Sequence, residues 1–121
     1  MRKLEFTSLQ VRDLEISKDF YTNTLGFELS GLSNSEACIF THEQGEAIFA
    51  IRKPIGNLDG KELGIGVSLW FAIAENIEVL HKRLTERQVI LLGSVNNTPF
   101  GRTLMAKDPD GYTITFLQAN A

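Results

Sequence analysis

The stretch Thr98–Phe116, TPFGRTLMAKDPDGYTITF, decides the fold because it encodes a loop, a strand, a forced turn and a second strand. In the turn Asp108-Pro109-Asp110-Gly111, proline sets φ at the first corner and glycine tolerates left-handed geometry, while Asp110 is expected to accept local backbone hydrogen bonds. Beyond it, Tyr112–Gln118 alternates threonine with apolar residues, which is typical of a strand with one apolar and one more polar face. The stretch therefore predicts a β-hairpin that lines either a catalytic site or a passive cleft.

The composition is that of an ordinary globular protein. Its 121 residues, 43% hydrophobic and 22% charged, suffice for one domain with a core and are too few for two independent ones. A formal net charge of −3 with scattered lysines and arginines offers no basic field for nucleic acid. Because no apolar run reaches the length of a signal core or a membrane span, we predict a cytoplasmic protein with neither nucleic acid nor membrane as partner.

The single cysteine and the two histidines give weak evidence about function. Cys38 is the single cysteine, so it cannot form an intramolecular disulfide, which agrees with a reducing compartment. It is interpreted as a small buried side chain, with a reactive thiol as the alternative. His42, in a predicted hairpin tip, and His81, on a predicted helix, are interpreted as solvated; His42 with Glu43 or Glu46 would be the alternative metal site.

The first half of the chain predicts the element order β-α-β-β-β. Glu5–Val11 alternates as a strand does, with Phe6 and Gln10 on the same face. Asp13 can cap a helix of about twelve residues that Gly26 ends. Three further strands are predicted at Phe27–Leu32, Ala37–Thr41 and Ala47–Arg52.

The second half repeats this order after a connector rich in proline and glycine, Lys53–Lys61. Asn76 is predicted to cap the second helix. The strands predicted around that helix are Val67–Ala74, Val89–Leu92, Arg102–Lys107 and Tyr112–Gln118. Superposing Val11 on Ile73, an offset of 73 − 11 = 62 positions, aligns strand with strand.

This repeat predicts one domain, 1–121, made of two modules. The first spans about 1–56, the linker about 53–63 and the second about 64–121. Each module is a small sheet with one helix, which cannot bury its inner face alone, so the two must combine.

The residues of both modules resemble the vicinal oxygen chelate superfamily, which includes glyoxalase I, extradiol dioxygenases, fosfomycin-resistance enzymes and bleomycin-resistance proteins. The resemblance lies in Val11-Arg12-Asp13-Leu14-Glu15, Phe20-Tyr21, Leu25-Gly26-Phe27 and Asp108-Pro109-Asp110-Gly111-Tyr112. It covers nearly the whole chain. It implies an α+β fold in which two βαβββ modules form a curled mixed sheet around a cleft, commonly within a homodimer.

Enzymes of this superfamily hold a divalent metal with His, Glu or Gln side chains on inward strand positions. The resemblance places these positions at Phe6, at or next to Ser68, at Thr115 and within Ala47–Ile51. An aryl ring does not coordinate such a cation, and neutral hydroxyls are poor ligands. We therefore predict no metal and no other cofactor. Whether the protein is an enzyme stays open, the alternative being a metal-dependent lyase, isomerase or dioxygenase with non-standard ligands.

Among the metal-free members, the bleomycin-resistance type fits best. Pro99-Phe100-Gly101-Arg102 and the tryptophan-bearing strand Ser68–Ala72 are similar to features of those proteins, which bind an aromatic, polar antibiotic. The resemblance implies metal-free binding of a small aromatic or amphipathic molecule. Predicted stacking residues are Phe6, Trp70 and Phe100, and predicted orienting residues are Gln10, Ser68, Arg102 and Thr115.

Several of these residues also have a purely structural interpretation. Phe6 and Trp70 are equally compatible with filling a core or a dimer interface. Arg102 is compatible with an exposed charge at a strand end or with an ion pair to Asp108 or Asp110. Under that interpretation the protein is a scaffold whose dimer surface is its only function.

Overall fold

The computed structural model describes residues 1–41 and 47–120 and divides into two compact units, Met1–Lys61 and Glu62–Ala121. Each unit contains one mixed sheet and one helix that follows the first strand. The predicted α+β class with two βαβββ units is confirmed. The predicted hairpin tip with His42, Glu43 and Glu46 lies outside the described residues. Neither helix in the described ranges is long and apolar enough to cross a membrane.

In the first unit, the first strand pairs in parallel with the last strand. Its elements are β1 (Thr7–Gln10), α1 (Leu14–Asp19), a π-helical turn (Phe20–Thr24), β2 (Glu28–Leu29), β3 (Ala37–Thr41) and β4 (Ala47–Arg52). The strand order is β1-β4-β3-β2, and the β3 pairings are antiparallel. The bounds of β3 and β4 are those predicted, whereas β1 and β2 are shorter than predicted because fewer of their backbone groups join the ladder.

The first helix begins as predicted and ends differently. Asp13 Oδ1 accepts hydrogen bonds from the backbone N–H groups of Glu15 and Ile16, each 3.1 Å long, which is the N-cap arrangement. Regular α-helix ends at Asp19 and the chain widens into the π-helical turn. The predicted helix of about twelve residues is therefore two different segments, followed by Gly26 at φ +85°.

The π-helical turn places an aromatic ring at the centre of the first core. Tyr21 is fully buried, and its ring centroid lies 5.6 Å from that of Phe40 and 5.3 Å from that of Phe49. Phe40 and Phe49, opposite each other on β3 and β4, stack with centroids 4.7 Å apart. These contacts cover the side of the first sheet that faces α1.

In the second unit, the outer strand again pairs in parallel with the last strand. Its elements are β5 (Ser68–Ala72), α2 (Ile77–Glu86), β6 (Ile90–Leu91), β7 (Asn96–Thr98), β8 (Gly101–Lys107) and β9 (Thr113–Ala119). The strand order is β5-β9-β8-β6, and β7 also pairs with β8. Strand β7 was not predicted because its sequence, NNT, has residues that are depleted in strands.

Helix α2 covers one face of this sheet. Asn76 caps it, as predicted, with its side-chain oxygen 2.8 Å from the N–H of Glu78. The buried helix residues are Ile77, Leu80 and Leu84, and the buried strand residues on the facing side are Leu104, Ala106, Ile114 and Phe116. The second core is thus largely aliphatic, and the other face of the sheet is not covered by α2.

The turn between β8 and β9 is organised by its first aspartate. Asp108 is 4% exposed, and its Oδ1 accepts hydrogen bonds from the N–H groups of Asp110 and Tyr112 at 2.9 and 2.8 Å. The prediction had assigned the accepting carboxylate to Asp110. Gly111 closes the turn at φ +94° with its N–H 3.1 Å from the Asp108 carbonyl oxygen. A residue at the first turn position reaches the later N–H groups, because the backbone folds back over it.

Candidate functional site

Strand register divides the side chains of the second sheet between two faces. Residues directly opposite each other on neighbouring strands share a face. One face carries three rows of side chains across β8, β9 and β5; we call it the Trp70 face. From the turn end, its rows are Lys107, Thr113 and Ser68; then Met105, Thr115 and Trp70; then Thr103, Leu117 and Ala72. This is the face that α2 does not cover.

An exposed aromatic pair, which we call the aromatic corner, stands at this face. Trp70 is 51% exposed and Phe100 is 69% exposed. Their ring centroids are 6.3 Å apart and the rings are nearly perpendicular, at 86°. Edge-to-face contact is a favoured arrangement of aromatic rings, and here it leaves large parts of both rings open to solvent.

The loop that carries Phe100 is held by side-chain hydrogen bonds. Thr98 Oγ1 donates to the carbonyl oxygen of Gly101 at 2.7 Å and accepts from the N–H of Phe100 at 3.2 Å. Gly101 has φ +141°, and a Cβ there would lie 2.9 Å from the Ala119 Cα atom. The Pro99-Phe100-Gly101-Arg102 loop therefore requires glycine so that β8 can approach β9 closely beside the aromatic corner.

Hydroxyl groups and one ammonium lie next to the aromatic corner. The hydroxyls of Ser68 and Thr115 are 3.0 Å apart, with Ser68 exposed and Thr115 only 1% exposed. Lys107 Nζ donates to the Thr113 hydroxyl at 2.8 Å and to the Gly111 carbonyl oxygen at 3.0 Å. The structure thus brings together four of the predicted residues, Ser68, Trp70, Phe100 and Thr115, with Thr113 beside them. It adds Lys107, which the sequence did not single out.

Arg102 lies on the other side of the sheet from Thr115. It is opposite Gln118 in the register of β8 and β9, and its guanidinium forms an ion pair with Glu78 of α2. Arg102 is thus separated from Thr115 by the sheet, and its described ion-pair partner is neither Asp108 nor Asp110. A role for Arg102 in orienting a ligand stays a prediction. The alternation of side chains along the hairpin puts Arg102 and Thr115 on opposite faces of the sheet. The sequence reveals this only once the register of β8 and β9 is known.

Gln10 holds the connector of the first unit. Its Oε1 accepts a hydrogen bond of 2.9 Å from the N–H of Ile55. The guanidinium of Arg12 donates to the carbonyl oxygens of Leu58, at 3.2 Å, and Lys61. The side chains at the end of β1 thus tie down the segment after β4, a role that sequence reasoning missed because the partners are backbone groups about 45 residues away along the chain.

Phe6 lies in the first unit, just before β1, and its side chain is 42% exposed. It is therefore not part of the buried core of that unit. As a ligand contact it stays a prediction.

The residues that the resemblance places at the superfamily's metal positions do not fit a divalent cation. Phe6 has no donor atom, and the Ser68 and Thr115 hydroxyls are hydrogen-bonded to each other. The described strand β4 has the sequence AIFAIR, which offers only hydrocarbon side chains before Arg52. Within residues 1–41 and 47–120, no group of three or more His, Cys, Asp and Glu side chains is arranged to hold a metal. These positions therefore do not supply the ligands of a divalent-metal site.

Cys38 belongs to the helix-covered side of the first sheet. It is 4% exposed, which confirms its interpretation as a buried side chain. Burial raises the pKa of its thiol, while Lys18 opposes this effect and Glu15 adds to it. A raised pKa keeps the thiol protonated and weakly nucleophilic near neutral pH.

Two βαβββ units, each with a helix on one face of a mixed sheet, define a two-module α+β protein. The family model for the Glyoxalase/Bleomycin resistance protein/Dioxygenase superfamily matches residues 3–116. The chain belongs to this superfamily, as its resemblance to the vicinal oxygen chelate proteins predicted.

Solved structures of similar proteins cover nearly the whole chain. TnmS3, an antibiotic binding protein from Streptomyces sp. CB03234, is 25% identical, with coverage of 99% of this chain and 98% of that one and a TM-score of 0.75. A superfamily member from Sphaerobacter thermophilus is 28% identical, with 98% of each chain covered and a TM-score of 0.71. A protein of unknown function from Agrobacterium tumefaciens is 23% identical, with 99% and 96% covered and a TM-score of 0.78; this likeness shows the fold alone. The comparison with curated proteins gave no match.

Proposed function

We propose that the protein binds a small planar aromatic molecule on the Trp70 face without using a metal. The observation that carries this proposal is the aromatic corner, in which two rings in edge-to-face contact remain 51% and 69% exposed. Aromatic side chains that stay open to solvent side by side are suited to bind a third ring.

The geometry of the corner favours a flat ligand. Because the Trp70 and Phe100 rings are perpendicular at 86°, a ring that stacks on one of them meets the other edge to face. Aromatic pairs of this kind contribute about 0.5–1.5 kcal/mol beyond the area they bury. A flat ligand gains two such contacts at once, whereas a branched aliphatic ligand gains only burial.

The comparison with relatives supports the same class of function. The superfamily includes bleomycin-resistance proteins, and the Streptomyces relative TnmS3 is an antibiotic binding protein. Hydroxyl groups beside an aromatic surface also suit a ligand that is partly apolar and partly polar. A homodimer and a cytoplasmic location stay predictions from the sequence.

A binding screen tests the proposal with the intact protein. Trp70 is the only tryptophan, so its fluorescence reports on the corner while planar aromatic compounds, bleomycin among them, are titrated. We expect quenching and a rise in melting temperature with at least one compound, and loss of both in Phe100→Ala. Val79→Ala is the matched control because Val79 is 58% exposed on α2, away from the Trp70 face.

Two results would contradict the proposal. A broad panel with neither quenching nor thermal shift would remove the binding function. Stoichiometric nickel, zinc, manganese or iron in protein purified without a tag would instead support a metal-dependent enzyme of this superfamily.

A further inference from the structure

We propose that the row of side chains beside the aromatic corner is a subsite for a carboxylate, so that the preferred ligand is a planar aromatic acid. We call this row, Lys107, Thr113 and Ser68, the donor row. The inference rests on the proposed function, since it names the class of molecule bound at the same face.

The register places the donor row next to Trp70. Thr113 is opposite Lys107 on one side and Ser68 on the other, so the three side chains cross the face side by side. Trp70 follows Ser68 by two residues on β5, which corresponds to about 6.5–7 Å along a strand. A ring stacked on Trp70 can therefore place an oxygen substituent at the donor row while its opposite end points toward Phe100.

The donor row has unused hydrogen-bond donors. A lysine ammonium has three N–H groups, and Lys107 directs its described side-chain hydrogen bonds to two acceptors, the Gly111 carbonyl oxygen and the Thr113 hydroxyl. The Thr113 hydroxyl accepts from Lys107 and keeps its own hydrogen to donate. Two donors at one end of the row are therefore available to an acceptor group.

The third donor comes from the pair of hydroxyls at the other end of the row. Thr115 is 1% exposed, and its hydroxyl lies 3.0 Å from that of Ser68. Either hydroxyl can be the donor in this bond. When the buried Thr115 hydroxyl donates to Ser68, the exposed Ser68 hydroxyl keeps its own hydrogen to donate to a ligand.

The positive charge of Lys107 on the Trp70 face favours an anionic acceptor over a neutral one. None of the described residues on the three rows is acidic, and Lys107 is the charged member. In the turn that follows Lys107, the Asp108 carboxylate is buried and its Oδ1 accepts from two turn N–H groups. Hydrogen bonds from an ammonium to a carboxylate are about twice as strong as neutral ones. A carboxylate therefore gains more here than an amide, and a cation is disfavoured by Lys107.

Three probes of one shape test this inference. Naphthalene-2-carboxylate, naphthalene-2-carboxamide and 2-naphthylmethylammonium share a ring system that can stack on Trp70 and differ in the group offered to the donor row. By isothermal titration calorimetry at low salt, we expect the carboxylate to bind about tenfold more tightly than the carboxamide, a preference that corresponds to about 1.4 kcal/mol. The ammonium probe is expected to bind most weakly. Added salt should weaken carboxylate binding more than carboxamide binding.

Variants assign the preference to the donor row. Lys107→Met should lower carboxylate affinity about tenfold and carboxamide affinity much less, whereas Lys107→Arg, which keeps the charge, should retain the preference. Lys82→Met removes an exposed lysine on α2 and should change neither affinity. Ser68→Ala tests the other end of the row and should weaken both oxygen-bearing probes.

The outcomes separate this inference from the proposed function. If the carboxylate and the carboxamide bind equally, or if Lys107→Met weakens both equally, the carboxylate subsite is wrong while aromatic binding at Trp70 stands. Tighter binding of the ammonium probe would overturn the subsite as well. If neither these probes nor the broader panel bind, both proposals fail.

Discussion

The two units share one topology and differ on the face that their helix leaves open. In the first unit this face carries Ala37, Ile39 and Ala50, with Arg52 opposite Ala37, and Gln10 holds the connector. In the second unit it carries Trp70 and the donor row, with Phe100 beside them. The helix-covered faces contain the buried core residues in both units, so residues on the open faces can differ without loss of the core. The open face of the second unit carries aromatic rings and hydrogen-bond donors.

The two units also fill the space between helix and sheet with different kinds of side chain. Below α1 and its π-helical turn, Tyr21, Phe40 and Phe49 form an aromatic cluster. Below α2, Leu84, Leu104 and Ile114 fill the corresponding space. A repeated arrangement of strands therefore does not require repeated residues, only apolar volume on the face that the helix covers.

The largest expected effect contrasts a helix-covered residue with an open-face residue. Phe49→Ala should destabilise the protein by about 3–5 kcal/mol because it removes a fully packed ring. Trp70→Ala should cost less than about 1 kcal/mol because half of that side chain is already in water. Urea unfolding followed by circular dichroism measures both. An equal loss of unfolding free energy in the two variants would mean that Trp70 is a core residue and that the two faces do not differ in their contribution to stability.

A smaller loss is expected where the chain depends on glycine beside the aromatic corner. Gly101→Ala should cost about 1–3 kcal/mol, because alanine is strained at positive φ and its Cβ would meet the backbone at Gln118 and Ala119. Gly56→Ala is the matched control, since nothing lies within 4 Å of a Cβ there. Thermal unfolding of both variants checks this. Similar melting temperatures would show that β8 can move away from β9 without cost.

The helix caps should give equal effects in the two units. Asp13→Ala and Asn76→Ala each remove a side-chain acceptor from the first turn of a helix, and each should cost about 1 kcal/mol. Chemical denaturation of the two single variants measures the losses. A much larger loss for one cap would show that one unit controls the stability of the whole chain.

The smallest effect concerns pH and Cys38. Because burial raises the pKa of its thiol above 9.0, the folded state retains a proton that the unfolded state releases first. The stabilisation is fully present below pH 9.0 and is lost as the pH rises through the folded pKa. The difference in unfolding free energy between the parent protein and Cys38→Ala should therefore be constant near neutrality and shrink at alkaline pH. A difference that stays constant up to strongly alkaline pH would contradict it.

Local signals predicted most of the elements. Asp13 and Asn76 each cap a helix where predicted, and strands β3 and β4 have the predicted bounds. The exceptions are segments whose form depends on packing. The π-helical turn follows from fitting Tyr21 into the aromatic core, and β7 forms because β8 offers it a free edge, neither of which is a property of the local residues.

The sequence predicted which types of residue form the candidate site, but not how all of them are arranged. The exposed aromatic pair and the Ser68 and Thr115 positions were named from the sequence. Lys107 was missed because nothing local distinguishes it from other lysines until β9 places Thr113 opposite it. The close approach of Gly64 to the Tyr112 ring, where a Cβ would lie 3.0 Å from Cε1, was also missed, because the two residues are far apart in the sequence and meet only in the folded chain.

The amino-acid sequence by itself determined where helices begin, where the final hairpin turns and which strand residues alternate, because these depend on groups only a few positions apart. The resemblance to the superfamily adds the prediction that its metal positions fall at Phe6, at or next to Ser68 and at Thr115. Only the tertiary structure decided that Arg102 lies with Glu78 across the sheet from Thr115 and that Gln10 holds the connector. Those outcomes depend on strand register and on distant backbone groups that need partners, and both are set when the chain packs.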